Sequence, residues 1–282
     1  MQIINQKTEL SRLISSYKKK GMCIGFVPTL GALHEGHLSL VKTAYENCEV
    51  VVISIFVNPT QFDNPSDLEK YPKILEKDLH LLENSFPKSI VFAPSTSEIY
   101  GKNILTQKFD FGFLENEMEG KYRTGHFDGV ATVLQILFDI VKPDKAFFGE
   151  KDFQQLQIVR KLVEITKQPV EIIGCAIARE PSGLAMSSRN ERLRPIEREK
   201  AAFLHEILQQ AKADFGTKSA DDITQWALNQ FEGNNQIRLE YFEIADVETL
   251  KTVKEKQNGK KYRAFVAAYV GDVRLIDNIA LN

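Results

Sequence analysis

The sequence predicts an α/β fold: a Rossmann-like parallel sheet with helices on both faces, followed by a small α+β C-terminal domain. Short β-branched or aromatic runs alternate with helical patterns through the first part of the chain. The run at 50–57 is apolar almost throughout, which is typical of a strand that is covered on both faces. After residue 179 the order of elements changes, which indicates a second structural unit.

The first part alternates strands with helices, as its hydrophobic periodicity indicates. The predicted strands are 23–27, 50–57, 89–93, 145–148 and 170–176, and the predicted helices are 37–47, 68–82, 127–141 and 153–166. Because strands joined by helices pair in parallel, this order predicts a parallel sheet.

Pro181 and Gly183 mark a segment, 179–183, that we interpret as a hinge. Beyond it, helices are predicted at 195–215 and 220–231, strands at 239–245, 263–270 and 273–276, and an exposed charged loop at 251–261. This order is typical of an antiparallel α+β unit. We therefore predict two domains, 1–178 and 179–282.

Composition narrows the possible functions. The 282 residues carry a formal net charge of -2, which argues against a large nucleic-acid-binding face. The longest strongly apolar run, 50–57, is too short to cross a bilayer, and residues 1–12 are too polar for a signal peptide. We expect a cytoplasmic protein with neither nucleic acid nor membrane as a partner.

We interpret Cys23, Cys48 and Cys175 as reduced packing residues.

A segment rich in glycine and histidine follows the first of these predicted strands. It reads PTLGALHEGH over 28–37, at the sheet edge where parallel α/β folds bind ligands. His34 and His37 at a helix N-terminus suit an anion whose charge grows during a reaction. On spacing alone, catalysis, a structural or capping role and metal binding remain alternatives. No third metal ligand lies nearby in sequence, and we assign no metal-binding residue.

Two common nucleotide-binding motifs are missing from the sequence. It contains neither the Gly-x-x-x-x-Gly-Lys-Ser/Thr loop nor a Gly-x-Gly-x-x-Gly run after a strand. A P-loop kinase and a nicotinamide-dependent dehydrogenase are therefore poor candidates.

The His-x-Gly-His element at 34–37 resembles the phosphate-binding signature of nucleotidyltransferases and class I aminoacyl-tRNA synthetases. A wider set of motifs resembles the pantoate–β-alanine ligase (pantothenate synthetase) family, in the family's order and over most of the chain. These motifs are PTLGALHEGH (28–37), FVNPTQF (56–62), YP (71–72), GHFDGV (125–130), FGEKDFQQ (148–155) and MSSRN (186–190).

This resemblance implies an ATP-dependent condensation of (R)-pantoate with β-alanine through a pantoyl-adenylate, giving pantothenate, AMP and pyrophosphate. The first domain would bind nucleotide and pantoate, and the second would act as a lid. The implied catalytic residues are His34, His37 and Lys151. The implied ATP-binding residues are Leu30, Gly31, Ala32, Leu33, His34, Glu35, Gly36, His37, Gly149, Glu150, Lys151, Asp152, Ala178, Met186, Ser187, Ser188 and Arg189.

The resemblance also assigns the other two substrates. Gln61 and Gln155 would bind pantoate, because an amide can donate to its carboxylate and accept from its hydroxyls. Gln61 and Asn58 would bind β-alanine. Mg²⁺ is implied mainly through the phosphates of ATP, and a homodimer is implied as well.

Two other functions remain alternatives. An adenylyltransferase that releases its adenylate would share the His-x-Gly-His element without needing both glutamine motifs. A non-catalytic interaction protein would be expected to have lost His37, Lys151 or Arg189, and the sequence keeps all three.

Three positions depart from the family's usual residues. Thr124 stands in place of a proline, Ser182 in place of an aspartate and Leu30 in place of a methionine. The last change conserves volume, and we expect little effect from it.

Overall fold

A computed structural model of the chain describes residues 1–62, 68–69 and 71–282. The first part contains a six-stranded sheet in the order β1-β4-β3-β2-β5-β6, and all of its pairings are parallel. The strands are β1 (Gln2–Ile4), β2 (Ile24–Thr29), β3 (Val50–Ile55), β4 (Ile90–Phe92), β5 (Lys145–Gly149) and β6 (Glu171–Cys175). The predicted parallel sheet is confirmed. The chain reverses its direction of travel across the sheet between β2 and β5, and such a switch point opens a crevice for ligands.

Helices cover both faces of this sheet. They are α1 (Lys7–Lys18), α2 (Glu35–Asn47), α3 (Leu75–Ser85), α4 (Thr96–Tyr100), α5 (Glu119–Tyr122), α6 (His126–Val141) and α7 (Phe153–Thr166). Neighbouring strand residues point to opposite faces: Phe26 and Val52 pack in the core with α1, α6 and α7, whereas Val27 and Val51 pack with α2 and α3. Two covered faces explain why the run at 50–57 is apolar almost throughout.

The helix predicted over 68–82 has different bounds in the structure. Leu68 and Glu69 are helical, but residues 71–74 are not, and α3 runs over Leu75–Ser85. Pro72 accounts for the difference, because the residue before a proline is disfavoured in helical conformation. Residue 70 of the predicted helix lies outside the described residues.

The second part is an α+β unit, as predicted. Its helices are α8 (Pro195–Ala201), α9 (Phe203–Asp214) and α10 (Ala220–Phe231), and its strands are β7 (Ile237–Asp246), β8 (Tyr262–Val270) and β9 (Val273–Ala280). The strands pair antiparallel in the order β7-β8-β9. The helix predicted over 195–215 is divided at Ala202.

Both faces of the antiparallel sheet are also covered. Tyr241 and Phe265 belong to the same core as α6 and α7 of the first part, whereas Phe242 and Val266 pack with α9 and α10. The two parts of the chain therefore share a continuous apolar core, and a division at residue 178 remains a prediction. Across the described residues, no helix has both the length and the apolar character that crossing a bilayer requires.

Candidate active site

A cleft of about 300 Å³ opens at the carboxyl ends of β2 and β5, and residues of the second part of the chain also line it. It brings together most of the predicted site residues. Those that line it are Leu30, His34, Gly36, His37, Asn58, Gln61, Gly149, Lys151, Asp152, Gln155, Ala178, Met186, Ser187, Ser188 and Arg189. The lining does not include Gly31, Ala32, Leu33, Glu35 or Glu150, which stand behind it or beside it.

His34 and His37 begin α2 and form a reciprocal cap. The Nδ1 atom of His34 accepts from the Gly36 backbone N–H at 3.1 Å, and the Nδ1 of His37 accepts from the His34 N–H at 3.4 Å. An imidazole nitrogen that accepts a hydrogen bond carries no proton, so the proton of each neutral ring is on Nε2. The ring centroids are 4.1 Å apart and the rings are tilted by 46°, so two neighbouring N–H donors lie at a helix N-terminus.

Both rings are neutral at physiological pH. Burial, with a contribution from the Lys151 charge, lowers the pKa of His34 from 6.5 to about 4. Burial, helped by His34 and Lys151, lowers the pKa of His37 to about 3. A second positive charge in this small space is unfavourable until an anion balances it. The site is therefore prepared for a polyanion.

Asp78 on α3 fixes the loop that precedes His34. Its carboxylate accepts from the backbone N–H of Ala32 at 2.9 Å and of Leu33 at 2.7 Å. Gly31 and Ala32 both have positive φ, at 82° and 50°, a conformation that needs support from its surroundings at a residue with a Cβ. Asp78 supplies that support, which explains why Gly31, Ala32 and Leu33 lie behind the cleft surface. Sequence analysis missed this residue, because it is a single carboxylate on a helix distant in sequence.

Asn58 has its side-chain amide fully engaged by protein groups. Its Nδ2 donates to Gln61 Oε1 at 3.0 Å and to the Gly129 carbonyl at 3.1 Å. Its Oδ1 accepts from the hydroxyls of Tyr100 at 2.5 Å and Thr60 at 3.0 Å. Asn58 is only 1% exposed, and protein groups engage both ends of its amide, while its role at β-alanine stays a prediction. Its evident effect is on Gln61, whose Oε1 is held toward Asn58 and whose Nε2 remains as the donor.

His126 holds the backbone of the same segment. Arg123 Nη1 lies 3.2 Å from His126 Nε2, and His126 Nδ1 lies 2.7 Å from the Gln61 carbonyl oxygen. Because arginine only donates and a carbonyl only accepts, the ring has its proton on Nδ1. Gly129 allows the backbone of Thr60 to approach α6 closely. Any larger residue would place its Cβ 2.1 Å from the Thr60 carbonyl oxygen, which is too short for a contact. The start of α6 is therefore packed directly against the Gln61 segment.

The two neighbouring glutamines of α7 have different environments. Gln154 is buried, accepts from the Glu119 N–H at 3.0 Å and donates to the carbonyls of Leu114 and Glu117 at 2.8 Å each. Gln155 is half-buried and faces the cleft. Both glutamines line the cleft, but the amide of Gln154 is bonded to protein groups, and the pantoate-binding role of Gln155 stays a prediction.

The turn Gly149–Asp152 follows β5 and brings Lys151 to the cleft. Its Nζ lies 3.5 Å from Asp152 Oδ1. Glu150 points away from the cleft, and its Oε2 accepts from Arg263 of the second part at 2.8 Å. The predicted ATP-binding residue Glu150 is thus placed at the interface between the two parts, rather than on the cleft surface.

The implied ATP-binding residues Met186–Arg189 follow a hairpin. Arg179 and Ala185 form a β-bridge, and the Met186 N–H donates to the Ala178 carbonyl at 2.9 Å. Ser187 then caps a short 3₁₀ helix by accepting from the Arg189 N–H at 3.2 Å. The segment interpreted as a hinge is therefore part of a hairpin that leads directly to Met186–Arg189 at the cleft. Its role as a hinge stays a prediction.

A buried ion network closes the far side of the cleft. Arg274 donates to both carboxylate oxygens of Glu119, at 2.8 and 2.6 Å, and also to Glu240; Tyr241 donates to Glu119 at 2.8 Å. Burial alone would raise the pKa of Glu119, but the hydrogen bonds and charge of Arg274, with the charge of Arg123, lower it to about 2. This network joins α5 to β7 and β9, and its partners are too distant in sequence to be paired by pattern.

Comparisons with known proteins identify the family of the chain. The profile of the family described as Pantoate-beta-alanine ligase matches residues 2–280. A protein of Christiangramia forsetii named pantothenate synthetase is 60% identical over 282 residues, covering 100% of both chains. The crystal structure of pantothenate synthetase from Thermus thermophilus has a TM-score of 0.92 and 38% identity, covering 100% of this chain and 99% of its own.

A third relative has been solved with ligands. The structure of pantoate-beta-alanine ligase from Francisella tularensis, complexed with beta-gamma ATP and beta-alanine, has a TM-score of 0.82 and 38% identity, covering 100% of this chain and 98% of its own. Sequence, fold and the residues gathered in the cleft agree: the chain belongs to the pantoate–β-alanine ligase family.

Proposed function

We propose that the cleft condenses pantoate with β-alanine in two steps, with ATP as the energy source. Pantoate carboxylate attacks the α-phosphorus of ATP, and pyrophosphate leaves. The amine of β-alanine then attacks the acyl carbon of the pantoyl-adenylate, giving pantothenate and AMP. The observation that carries this proposal is the convergence of two neutral histidines, Lys151 and Arg189 with Gln61 and Gln155 on one cleft.

The nucleotide would lie along the edge formed by β2 and β5. The Nε2–H groups of His34 and His37 would donate to phosphate oxygens as their negative charge grows, and Lys151 and Arg189 would balance that charge. Asp152 would accept from the ribose hydroxyls, and the Ala178 backbone would meet the adenine. Leu30, Gly36, Gly149, Met186, Ser187 and Ser188 would complete the ATP site. Gly31 to Leu33, Glu35 and Glu150 would support it indirectly.

Pantoate would be held between Gln61 and Gln155. The Nε2 of Gln61 is the end of its amide that is not engaged by Asn58, so it would donate to the pantoate carboxylate or hydroxyls. We propose that β-alanine also approaches Gln61, and that Asn58 assists by orienting that amide. No enzyme nucleophile is needed, because positioning and charge stabilisation suffice for both steps.

Mg²⁺ would enter as its ATP complex. Within the described residues, no group of three or more His, Cys, Asp or Glu side chains is arranged to hold a metal ion, and Mg²⁺ commonly binds through substrate phosphates. When bound, the ion would neutralise part of the triphosphate charge. The acidic Asp152 and the basic Lys151 beside the cleft are compatible with such a complex.

We further propose a cytoplasmic homodimer whose second part acts as a lid over the adenylate. The consumption of ATP and small polar acids supports the location, and the family resemblance supports the assembly. Sedimentation of the full chain would test the dimer.

An assay of AMP formation with ATP, pantoate and β-alanine, omitting each in turn, tests the reaction itself. We expect AMP release only when all three are present. AMP release that is independent of β-alanine would contradict the ligase.

A further inference from the structure

Two consecutive residues of β9, Asp277 and Asn278, contact both the Gly149–Asp152 turn and the hairpin that leads to Met186. Asn278 is 2% exposed. Its Nδ2 donates to the carbonyl oxygens of Glu150 at 3.0 Å and Lys151 at 2.8 Å, and its Oδ1 accepts from Arg263 Nη1. Every polar atom of this amide is therefore used, and two of its three bonds hold the backbone of the turn that carries Lys151.

Arg263 of β8 binds the same turn through the side chain of Glu150. Its Nη2 donates to Glu150 Oε2 at 2.8 Å, and its guanidinium lies 4.0 Å from the ring centroid of Phe153 at the start of α7. The turn is thus attached to the second part of the chain through both its backbone and its side chains.

Asp277 binds the hairpin that leads to Met186–Arg189. Its carboxylate accepts from Arg179 Nη1 at 2.6 Å and Nη2 at 3.0 Å, a bidentate arrangement that fixes direction as well as distance. Arg179 also donates to the Gly183 carbonyl at 3.0 Å, inside the hairpin that leads to Met186. Asp277 Oδ1 additionally accepts from the Asn278 N–H at 2.7 Å, so the two anchors are joined to each other.

We propose that Asn278 is a positioning residue for adenylate formation, which fixes Lys151 relative to the loop that carries Arg189. The inference rests on the proposed function, in which both cations act on one triphosphate. It also bears on the proposed lid: because the Lys151 turn is hydrogen-bonded to the second part, a movement of that part would either displace Lys151 or break these bonds.

The expected effect follows from geometry. Asn278→Ala removes both donors to the turn, and a displacement of about 1 Å at a reacting group can cost on the order of 100-fold in rate. Asn278→Asp keeps the volume and the bond from Arg263, but it places a carboxylate against two carbonyl oxygens. Both variants should therefore lose activity, and the second should do so with the packing preserved.

The test is a double-mutant cycle on pyrophosphate formation with ATP and pantoate in single turnover. Asn278→Ala and Asn278→Asp are measured alone and in a Lys151→Ala background. Gln157→Ala serves as the matched control, because Gln157 Nε2 donates to the Val247 carbonyl across the same interface, at 2.6 Å, away from the cleft.

If Asn278 acts through Lys151, its substitution should lower the rate of pyrophosphate formation by about 100-fold in the wild-type background. In the Lys151→Ala background the same substitution should lower that rate by less than about threefold, since the effects of coupled residues are not additive. Gln157→Ala should remain near the normal rate. Equal losses in both backgrounds, or normal rates in folded Asn278 variants, would overturn the inference. A normal chain that makes no pyrophosphate would instead contradict the proposed function.

Discussion

The residues that touch the cleft could be predicted from sequence, whereas those that hold them could not. The His-x-Gly-His element and the two glutamine motifs are contiguous, so their resemblance to the family's motifs is visible in the sequence, and that resemblance implied their place at the site. The roles of Asp78 and Asn278 depend on contacts with residues far away in the chain. For Asn58, the family resemblance implies a role at β-alanine, which stays a prediction; the protein partners that surround its amide could not be predicted from sequence.

We expect His34→Ala and His37→Ala each to slow adenylate formation by about 10²–10³-fold, the usual cost of losing one donor to a developing charge. The rate of pyrophosphate release with ATP and pantoate alone is the measurement. His80→Ala is the control, because His80 lies on the exposed surface of α3. Near-normal rates in both folded cleft variants would contradict the roles given to these histidines.

The same histidines predict how stability depends on pH. Their pKa values in the folded chain, about 4 and about 3, lie below the ordinary 6.5, so the unfolded chain binds protons more readily. The free energy of unfolding should therefore fall as the pH drops from about 6.5 toward 4. The fall in urea midpoint between pH values of about 7 and 5 should be smaller in His37→Ala than in the normal chain. An equal fall would indicate that His37 is not buried in its neutral form.

At the scale of elements, the long apolar strands and helices were predictable, and the short polar ones were not. The strands at the sheet centre are recognisable because both faces are covered. The three-residue β1 has only one buried side chain, and α1 is polar on most of its surface, so neither was predicted. The bounds predicted for the helix at 68–82 were wrong, because Pro72 interrupts the helix that the apolar spacing alone would predict.

We expect Asp78→Ala to destabilise the chain by about 2–4 kcal/mol, because two backbone N–H groups lose a charged acceptor. The released loop leads directly into His34, so the KM for ATP should rise by about tenfold, and the KM for pantoate should change less. Urea unfolding and steady-state kinetics measure the two effects, and Asp78→Asn, which keeps one acceptor, should be milder. An unchanged KM for ATP would show that the loop does not need α3.

At the scale of the molecule, the fold class and the order of its two parts could be predicted, because each follows from the alternation of elements. The extensive contact between the two parts of the chain could not be predicted. Tyr241 and Phe265 complete the core around α6 and α7, and Arg274 and Asn278 reach from β9 into the first part. The bonds of Arg274 with Glu119 and of Asn278 with Lys151 join residues more than a hundred positions apart in sequence.

A chain that ends at Ala178 should therefore make no pyrophosphate. It lacks Met186 to Arg189, the Asn278 anchor of the Lys151 turn and the apolar cover of α7. We expect it to be less stable than the full chain and to expose apolar surface, which dye binding and urea unfolding would detect. Full activity from this shortened chain would contradict a catalytic role for the second part.

The central claim is that one cleft makes the pantoyl-adenylate, keeps it and delivers it to an amine, because an adenylate set free would be exposed to water. The most direct test is a single-turnover experiment in which enzyme, ATP and pantoate are mixed before β-alanine is added. We predict about one equivalent of pyrophosphate per site with no free AMP, followed by release of AMP and pantothenate when β-alanine is added. Repeated turnover to free adenylate, with no response to β-alanine, would contradict the account.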